Sequence, residues 1–132
     1  MPAATTLTER IGIIGTAHTR FGKLADETLQ SLVRAVAAEA IADAGVDPGE
    51  IDEVYVSQFN SGLTPFAFPS SLPLEEVPAL WGRPATRIEN ACASGSAAVH
   101  QGVRAILSGL AETVLVVGAE KMTHADGPAV AQ

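Results

Sequence analysis

The cysteine at position 92 is the residue whose type and position offer the most reactive chemistry, and the chain has no other cysteine. Cys92 follows a predicted strand over 85–90 and begins a predicted helix that runs to about Gly109. A thiolate there meets backbone N–H groups that lack helical partners and the positive end of the helix dipole. The N–H of Cys92 could also donate to a carbonyl oxygen that its own sulfur attacks. The pattern indicates a nucleophile with an oxyanion donor, although a lone cysteine in an apolar chain is often inert core.

Small residues surround this cysteine on both sides. Gly95 and its neighbouring alanines would let a ligand or another chain segment come close to the backbone. Ser94 and Ser96 are also nucleophile types, but in the first turn of a helix we expect their hydroxyls to satisfy free backbone N–H groups.

The three histidines provide no obvious base for Cys92. His100 comes eight residues later, which is about 12 Å along a helix, too far to activate the sulfur. His18 follows the first predicted strand, about 10 Å away across two strand spacings, and His124 follows the last one. No histidine, cysteine or carboxylate residues have the spacing of metal ligands, so we predict no metal site. Arg83 and Arg87 could bind a phosphate, but isolated arginines in an acidic chain are usually surface charges.

Hydrophobic periodicity indicates which elements position these residues. Residues 11–15 (IGIIG), 53–57, 85–90 and 113–118 are predicted strands. Apolar residues at helical spacing over 29–44 predict a helix that Asp26 or Thr28 caps and Gly45 ends. Strands alternate with helices, so we expect an α/β fold with a mainly parallel sheet that carries helices on both faces.

Residues 58–84 differ in character from the rest of the chain. Five of the eight prolines and three of the four phenylalanines fall here. We predict a long Pro/Phe-rich loop with at most one short helix, near Leu74–Trp81. A loop this apolar would pack on a substrate, on a partner chain or on its own core, and the sequence leaves these alternatives open.

Composition limits the classes of partner. The chain has 132 residues and a formal net charge of -7, which disfavours nucleic acid and anionic membranes as partners. No apolar run approaches the roughly 20 residues that span a bilayer. We expect a flexible leader over 1–10, one domain over 11–132 and, from the low cysteine content, a cytoplasmic location.

Residues 90–98 (NACASGSAA) resemble the nucleophile segment of thiolases, especially the sterol-carrier-protein-x-like acetyl-CoA acetyltransferases. Residues 11–23 (IGIIGTAHTRFGK), 51–57 and 114–122 (VLVVGAEKM) resemble further segments of that group, in the same order. Residues 60–84 match none of its patterns.

The resemblance implies an N-terminal half of a thiolase-like fold that acts on acyl-CoA without a further cofactor. Cys92 would carry the acyl group as a thioester during Claisen condensation or thiolysis of a 3-ketoacyl-CoA. Asn90, Gly95 and Met122 would contact the substrate, with Met122 near a neighbouring subunit's acyl pocket. The family's base histidine and second cysteine lie in a second half that these residues do not include.

The resemblance also implies assembly, as a homodimer through the strand before Cys92 or as a homotetramer, and allows a complex with a small OB-fold protein. Two alternatives stay open. Ketoacyl synthases share the fold and take their acyl chain from acyl carrier protein; the turns at 19–23 and 120–122 favour a thiolase. A non-catalytic thiolase-like lobe that serves assembly is the other.

Overall fold

The computed structural model describes residues 11–59 and 67–124. Its sheet has three parallel strands in the order β2-β1-β3. The strands are β1 (Glu53–Ser57), β2 (Ala85–Ile88) and β3 (Val114–Gly118), and the α-helices are α1 (Leu29–Ala44), α2 (Leu72–Glu76) and α3 (Ser94–Leu107). Short 3₁₀ turns occupy Pro48–Glu50, Pro69–Ser71, Pro78–Leu80, Ala91–Ala93 and Met122–His124.

Helices cover both faces of the sheet, which confirms the predicted α/β class. Successive strand residues face opposite sides. Val54 and Val56 of β1 therefore pack into the cluster that contains α1 and α2, whereas Tyr55 packs with Ala98 and Ala105 of α3. Because all three strands are parallel, they end at one rim of the sheet, and α3 begins there after β2.

Helix α1 begins and ends where its sequence predicts. The Thr28 hydroxyl accepts the backbone N–H of Ser31. In turn, the Ser31 hydroxyl accepts the backbone N–H of Thr28. Gly45 ends the helix with a left-handed φ of 65°, a conformation that glycine adopts without a Cβ penalty. The buried stripe of α1 forms much of the main core.

The predicted strand over 11–15 is wrong: this segment has no regular secondary structure. Gly15 lies so close to α1 that a Cβ there would stand 2.5 Å from the Ala44 nitrogen, and the Thr16 N–H donates to the Asp43 carboxylate at 2.8 Å. The segment is therefore held on α1 and does not pair with the free edge of β3. A cavity of about 670 Å³ separates the two, lined by residues 11–19, by one side of α1 and of α3, and by β3.

The predicted loop over 58–84 needs correction in its described part, because 67–84 contains α2 and two 3₁₀ turns in place of one short helix. Pro69, Pro73 and Pro78 occupy first-turn positions of these helices, where the missing N–H costs nothing. Leu72 and Leu80 are fully buried in the main core, so this part packs on its own domain. The predicted leader 1–10 lies outside the described residues.

Within 11–59 and 67–124, none of the helices combines the length and apolar character that crossing a bilayer would require.

Asp52 joins the entry of β1 to the entry of β3. Its carboxylate accepts the backbone N–H groups of Glu112 at 2.8 Å and Thr113 at 3.2 Å. These bonds lower the pKa of Asp52 from its ordinary 3.8, and the nearby Arg83 charge adds to the effect. A lowered folded-state pKa means that the stabilisation is present above the ordinary pKa and is lost as pH falls through the lowered one.

We expect Asp52→Asn to lower the free energy of unfolding at pH 7 by about 1 kcal/mol, after allowance for the exposure of this carboxylate. Urea denaturation measures the change, with Asp26→Asn as the control because Asp26 is an exposed turn carboxylate. The difference between wild type and Asp52→Asn should shrink in acid. Equal stability of the two variants at pH 7 would contradict this role for Asp52.

Candidate active site

Cys92 lies where the chain turns from the sheet into α3. After β2 ends at Ile88, the chain passes through Glu89 and Asn90 into the 3₁₀ turn Ala91–Ala93, and α3 begins at Ser94. Cys92 is exposed in the middle of that turn. The first N–H donor of the turn is that of Ala93, which bonds to the Asn90 oxygen at 2.9 Å. The Cys92 N–H precedes it, so it stands at the open end of the helical hydrogen-bond ladder.

Ala91, directly before the cysteine, has a left-handed backbone with φ of 46°. No other non-glycine residue of the described chain has a positive φ. An alanine pays a steric cost for this conformation, and such cost accumulates where function requires a special geometry. The turn that presents Cys92 is therefore sharper than a relaxed entry into a helix.

Ser94 bonds to both sides of this turn. Its hydroxyl accepts the N–H of Asn90 at 2.8 Å and donates to the Ala91 oxygen at 2.7 Å. Sequence analysis predicted such a role for Ser94 and Ser96, and the structure confirms it for Ser94. Ser96 is exposed on the next part of α3.

The space around Gly95 is open. A Cβ on Gly95 would meet nothing closer than the Ser57 hydroxyl at 4.0 Å. On the same rim, a Cβ on Gly118 would stand 2.8 Å from the Ser57 hydroxyl. The ends of β1 and β3 therefore pack more tightly there than Gly95 packs against β1. Gly95 thus leaves room for at least a methyl-sized group at the first turn of α3.

A shallow depression of about 430 Å³ adjoins the turn and is lined by Phe59, Arg87, Glu89 and Ala91. The backbone N–H of Phe59 donates to the Glu120 carboxylate, which links the ends of β1 and β3. Loss of hydration raises the pKa of Glu120, while the Phe59 bond and the Arg87 charge oppose that rise. The residue as a whole is exposed. This depression places a cation beside the cysteine turn.

Of the predicted site residues, Asn90, Cys92 and Gly95 lie together in one turn, and all three are exposed. Met122 lies past the end of β3 and is 49% exposed. Since β1 stands between β2 and β3, Met122 is about two strand spacings from the cysteine turn. The neighbouring Lys121 is buried, and its ammonium group donates to the Leu24 oxygen, a contact that the sequence does not predict.

Neither His18 nor His100, the two histidines with described side chains, is placed to activate Cys92. The His18 ring lies beside Phe21 in the segment held on α1, beyond β3 from the cysteine. His100 is an exposed residue of α3, and the side chain of His124 lies outside the described residues. The described ranges contain no cluster of histidine, cysteine and carboxylate residues that could hold a metal.

Arg83 is excluded as a ligand group for the cysteine site. Its guanidinium donates to the Gly49 oxygen at 2.6 Å and lies 3.7 Å from Asp52, at the opposite rim of the sheet. Arg87 lines the depression together with Ala91, the residue directly before Cys92.

The described residues place an exposed sulfur at the open end of a helical hydrogen-bond ladder, and none of them lies beside it as a general base. A sulfur at the start of a helix can attack a thioester carbonyl, and amide N–H groups can stabilise the oxygen that becomes negative. The left-handed Ala91 is the element of this site that sequence analysis missed, since an alanine carries no sequence signal for that conformation.

Comparison with known proteins reveals similarity across nearly the whole chain. A family model described as the thiolase N-terminal domain matches residues 11–131. The acetyl-CoA acetyltransferase of Methanocaldococcus jannaschii is 40% identical over 113 residues, which are 86% of this chain and 29% of that protein.

Two solved structures resemble the fold at 28% sequence identity. The acetyl-CoA acetyltransferase from Syntrophomonas wolfei has a TM-score of 0.66, over 79% of this chain and 27% of that one. The 3-oxoacyl-[acyl-carrier-protein] synthase III from Aquifex aeolicus has a TM-score of 0.65, over 78% and 34%. The chain thus spans about a third or less of the proteins that it matches.

Proposed function

The chain belongs to the thiolase family, and we propose that it is the nucleophile-bearing N-terminal part of an acyl-CoA acyltransferase in which Cys92 receives the acyl group. The observation that carries the proposal is the exposure of Cys92 at the start of α3, on the rim where the parallel strands end. In open α/β sheets, ligands bind outside this end of the strands.

The acyl transfer needs a deprotonated sulfur and a stabilised oxygen. The Cys92 sulfur attacks the thioester carbonyl of an acyl-CoA, and the backbone N–H of Cys92 donates to the oxygen as it becomes negative. Collapse of the tetrahedral intermediate breaks the bond between the carbonyl carbon and the CoA sulfur. The acyl group stays on Cys92 as a thioester, CoA leaves, and the proton lost by the cysteine ends on the CoA sulfur.

The later steps require groups that residues 11–59 and 67–124 do not supply near Cys92. Claisen condensation or thiolysis of a 3-ketoacyl-CoA needs a base for the second substrate. We assign that base to polypeptide corresponding to the remainder of the longer relatives. No cofactor besides the CoA thioester takes part in this scheme. Asn90 and Gly95 border the acyl group in it, and Met122 lies toward a neighbouring subunit.

The choice of acyl donor tests the proposal. The chain is incubated with acetyl-CoA or, separately, with acetyl-acyl carrier protein, and mass spectrometry locates the acetyl group. Acetylation of Cys92 by acetyl-CoA supports the thiolase reaction. Acetylation from acyl carrier protein alone would instead support a ketoacyl synthase, whose fold is equally similar. Acetylation by neither donor, with slow alkylation of Cys92 at neutral pH, would contradict both enzymes.

A second candidate function, assembly without catalysis, is favoured by the cavity beside β3. Its lining is largely apolar and includes Ile13 and Ile14, which are 81% and 61% exposed. Surfaces of this kind are normally covered by another chain or segment. We infer that a second copy, the remainder of a longer chain or a small OB-fold protein covers this face in a cytoplasmic assembly. The homodimer or homotetramer expected through β2, the strand before Cys92, would use the opposite edge of the sheet and is a separate contact.

Sedimentation velocity tests whether copies of the chain cover the face. If they do, Ile13→Asp should lower the association constant at least about tenfold, because it buries a charge in the interface. Phe68→Asp is the control, since Phe68 is 75% exposed and does not line the cavity. Equal association of both variants would exclude self-association through this face.

A further inference from the structure

We propose that Ser94 is a positioning residue: its hydroxyl holds Ala91 in the left-handed conformation and thereby sets the direction in which Cys92 is presented. The inference deepens the proposed function and rests on Cys92 as the acyl acceptor. Ser94 itself does not touch the reacting atoms; it acts through the backbone of the residue before the cysteine.

Ala91 pays a conformational cost in its left-handed backbone. Its φ of 46° places the Cβ near its own carbonyl group, so an unrestrained alanine leaves this conformation for one with negative φ. Such a change would rotate the peptide that joins Ala91 to Cys92. The sulfur and the Cys92 N–H would then point in a new direction together.

The two hydrogen bonds of the Ser94 hydroxyl lie on either side of the Ala91 backbone. One reaches the N–H of Asn90 and the other the oxygen of Ala91, so they enclose the φ and ψ angles of Ala91. Ser94 is only 5% exposed, and water therefore competes poorly for either bond. The Glu89 carboxylate also accepts the Ala91 N–H at 2.6 Å, but Glu89 is exposed and its bond is open to solvent.

Ser96 lies two residues further along the same helix and serves as the comparison for Ser94. Ser96 is exposed and takes no part in the bonds around Ala91. Both serines belong to the small-residue start of α3, so replacing either one by alanine removes one hydroxyl group from nearly the same region. Only Ser94 should affect the cysteine.

The experiment measures the initial rate of Cys92 acetylation by acetyl-CoA in the full chain. We expect Ser94→Ala to lower this rate by about five- to thirtyfold, the factor that corresponds to the cost of a left-handed alanine. Ser96→Ala should leave the rate unchanged. Adding Ala91→Gly to Ser94→Ala should restore most of the rate, because glycine adopts a positive φ without a Cβ penalty. A structural role of Ser94 alone would not be rescued in this way.

A further variant avoids dependence on the folding of Ser94→Ala. Ala91→Val keeps Ser94 but disfavours the left-handed conformation, and it should lower the rate at least as much as Ser94→Ala does. The inference is overturned if Ser94→Ala matches Ser96→Ala, if Ala91→Gly fails to rescue a folded Ser94→Ala protein, or if Ala91→Val acetylates at the wild-type rate.

Iodoacetamide separates this inference from the proposed function, because it alkylates thiolates without any acyl donor. The rate of Cys92 alkylation, measured at one fixed pH for every variant, reports how the turn presents the sulfur. If wild type is not acetylated, the proposed function fails. The positioning of Cys92 by Ser94 is then judged by alkylation alone: it stands if Ser94→Ala lowers the alkylation rate and Ala91→Gly restores it, and it fails if that rate stays the same.

Discussion

Replacement of Cys92 by alanine will abolish transfer of the acetyl group from acetyl-CoA to the chain. The chain contains no other thiol, and hydroxyl groups are far weaker nucleophiles than a thiolate at neutral pH. Cys92→Ser should therefore also lose all measurable labelling, although serine keeps the size and the hydrogen-bonding capacity of the side chain. Intact-mass measurement of the three proteins after incubation with acetyl-CoA gives the result directly.

The same replacement should leave the fold intact. Cys92 is exposed, and surface substitutions away from special features usually change the free energy of unfolding by less than about 0.5 kcal/mol. Circular dichroism and urea denaturation of Cys92→Ala provide the control. A marked loss of stability would indicate a packing cysteine, and labelling that persisted in Cys92→Ala would place the acyl acceptor elsewhere.

Leu80→Ala will destabilise the chain by about 2–5 kcal/mol, the range for a buried leucine reduced to alanine. Leu80 has no exposed surface and packs in the main core, so its removal leaves a cavity beneath the 3₁₀ turn Pro78–Leu80. Such a loss is a large share of the roughly 5–15 kcal/mol that stabilises an ordinary domain. The shift of the urea midpoint measures it.

Leu110→Ala is the matched control for Leu80→Ala, because Leu110 is 76% exposed and should contribute little to stability. The comparison tests which surface the apolar segment 67–84 covers. Equal and small effects of both variants would show that this segment does not pack on its own domain in solution. Its apolar residues would then be free for a substrate or a partner chain.

The proposed acylation and the stability of the fold thus involve different parts of the domain. Leu80 belongs to the main core with α1 and α2, on one face of the sheet, while Cys92 and Ser94 start the helix that covers the other face. Substitutions in the turn at 91–94 should therefore change the acylation rate with little effect on the main core. This separation makes the acylation experiments interpretable.

Local sequence determined α1 and α3, three of the four predicted strands and the place of the cysteine. Helix α1 matches its predicted limits because its stripe, its Thr28 cap and its Gly45 stop act within a few residues. Strand β1 matches for a similar reason: 53–57 is rich in β-forming residues. The corner at Cys92 followed from the junction between one apolar run and the next helical stripe.

Only the tertiary structure decided the features that depend on distant residues. Residues 11–15 have the composition of a strand, yet the contact of Gly15 with α1 holds them away from β3. The burial of Leu72 and Leu80 depends on how α2 meets the sheet. Sequence patterns record local preferences, whereas such contacts join groups whose separation along the chain no periodicity encodes.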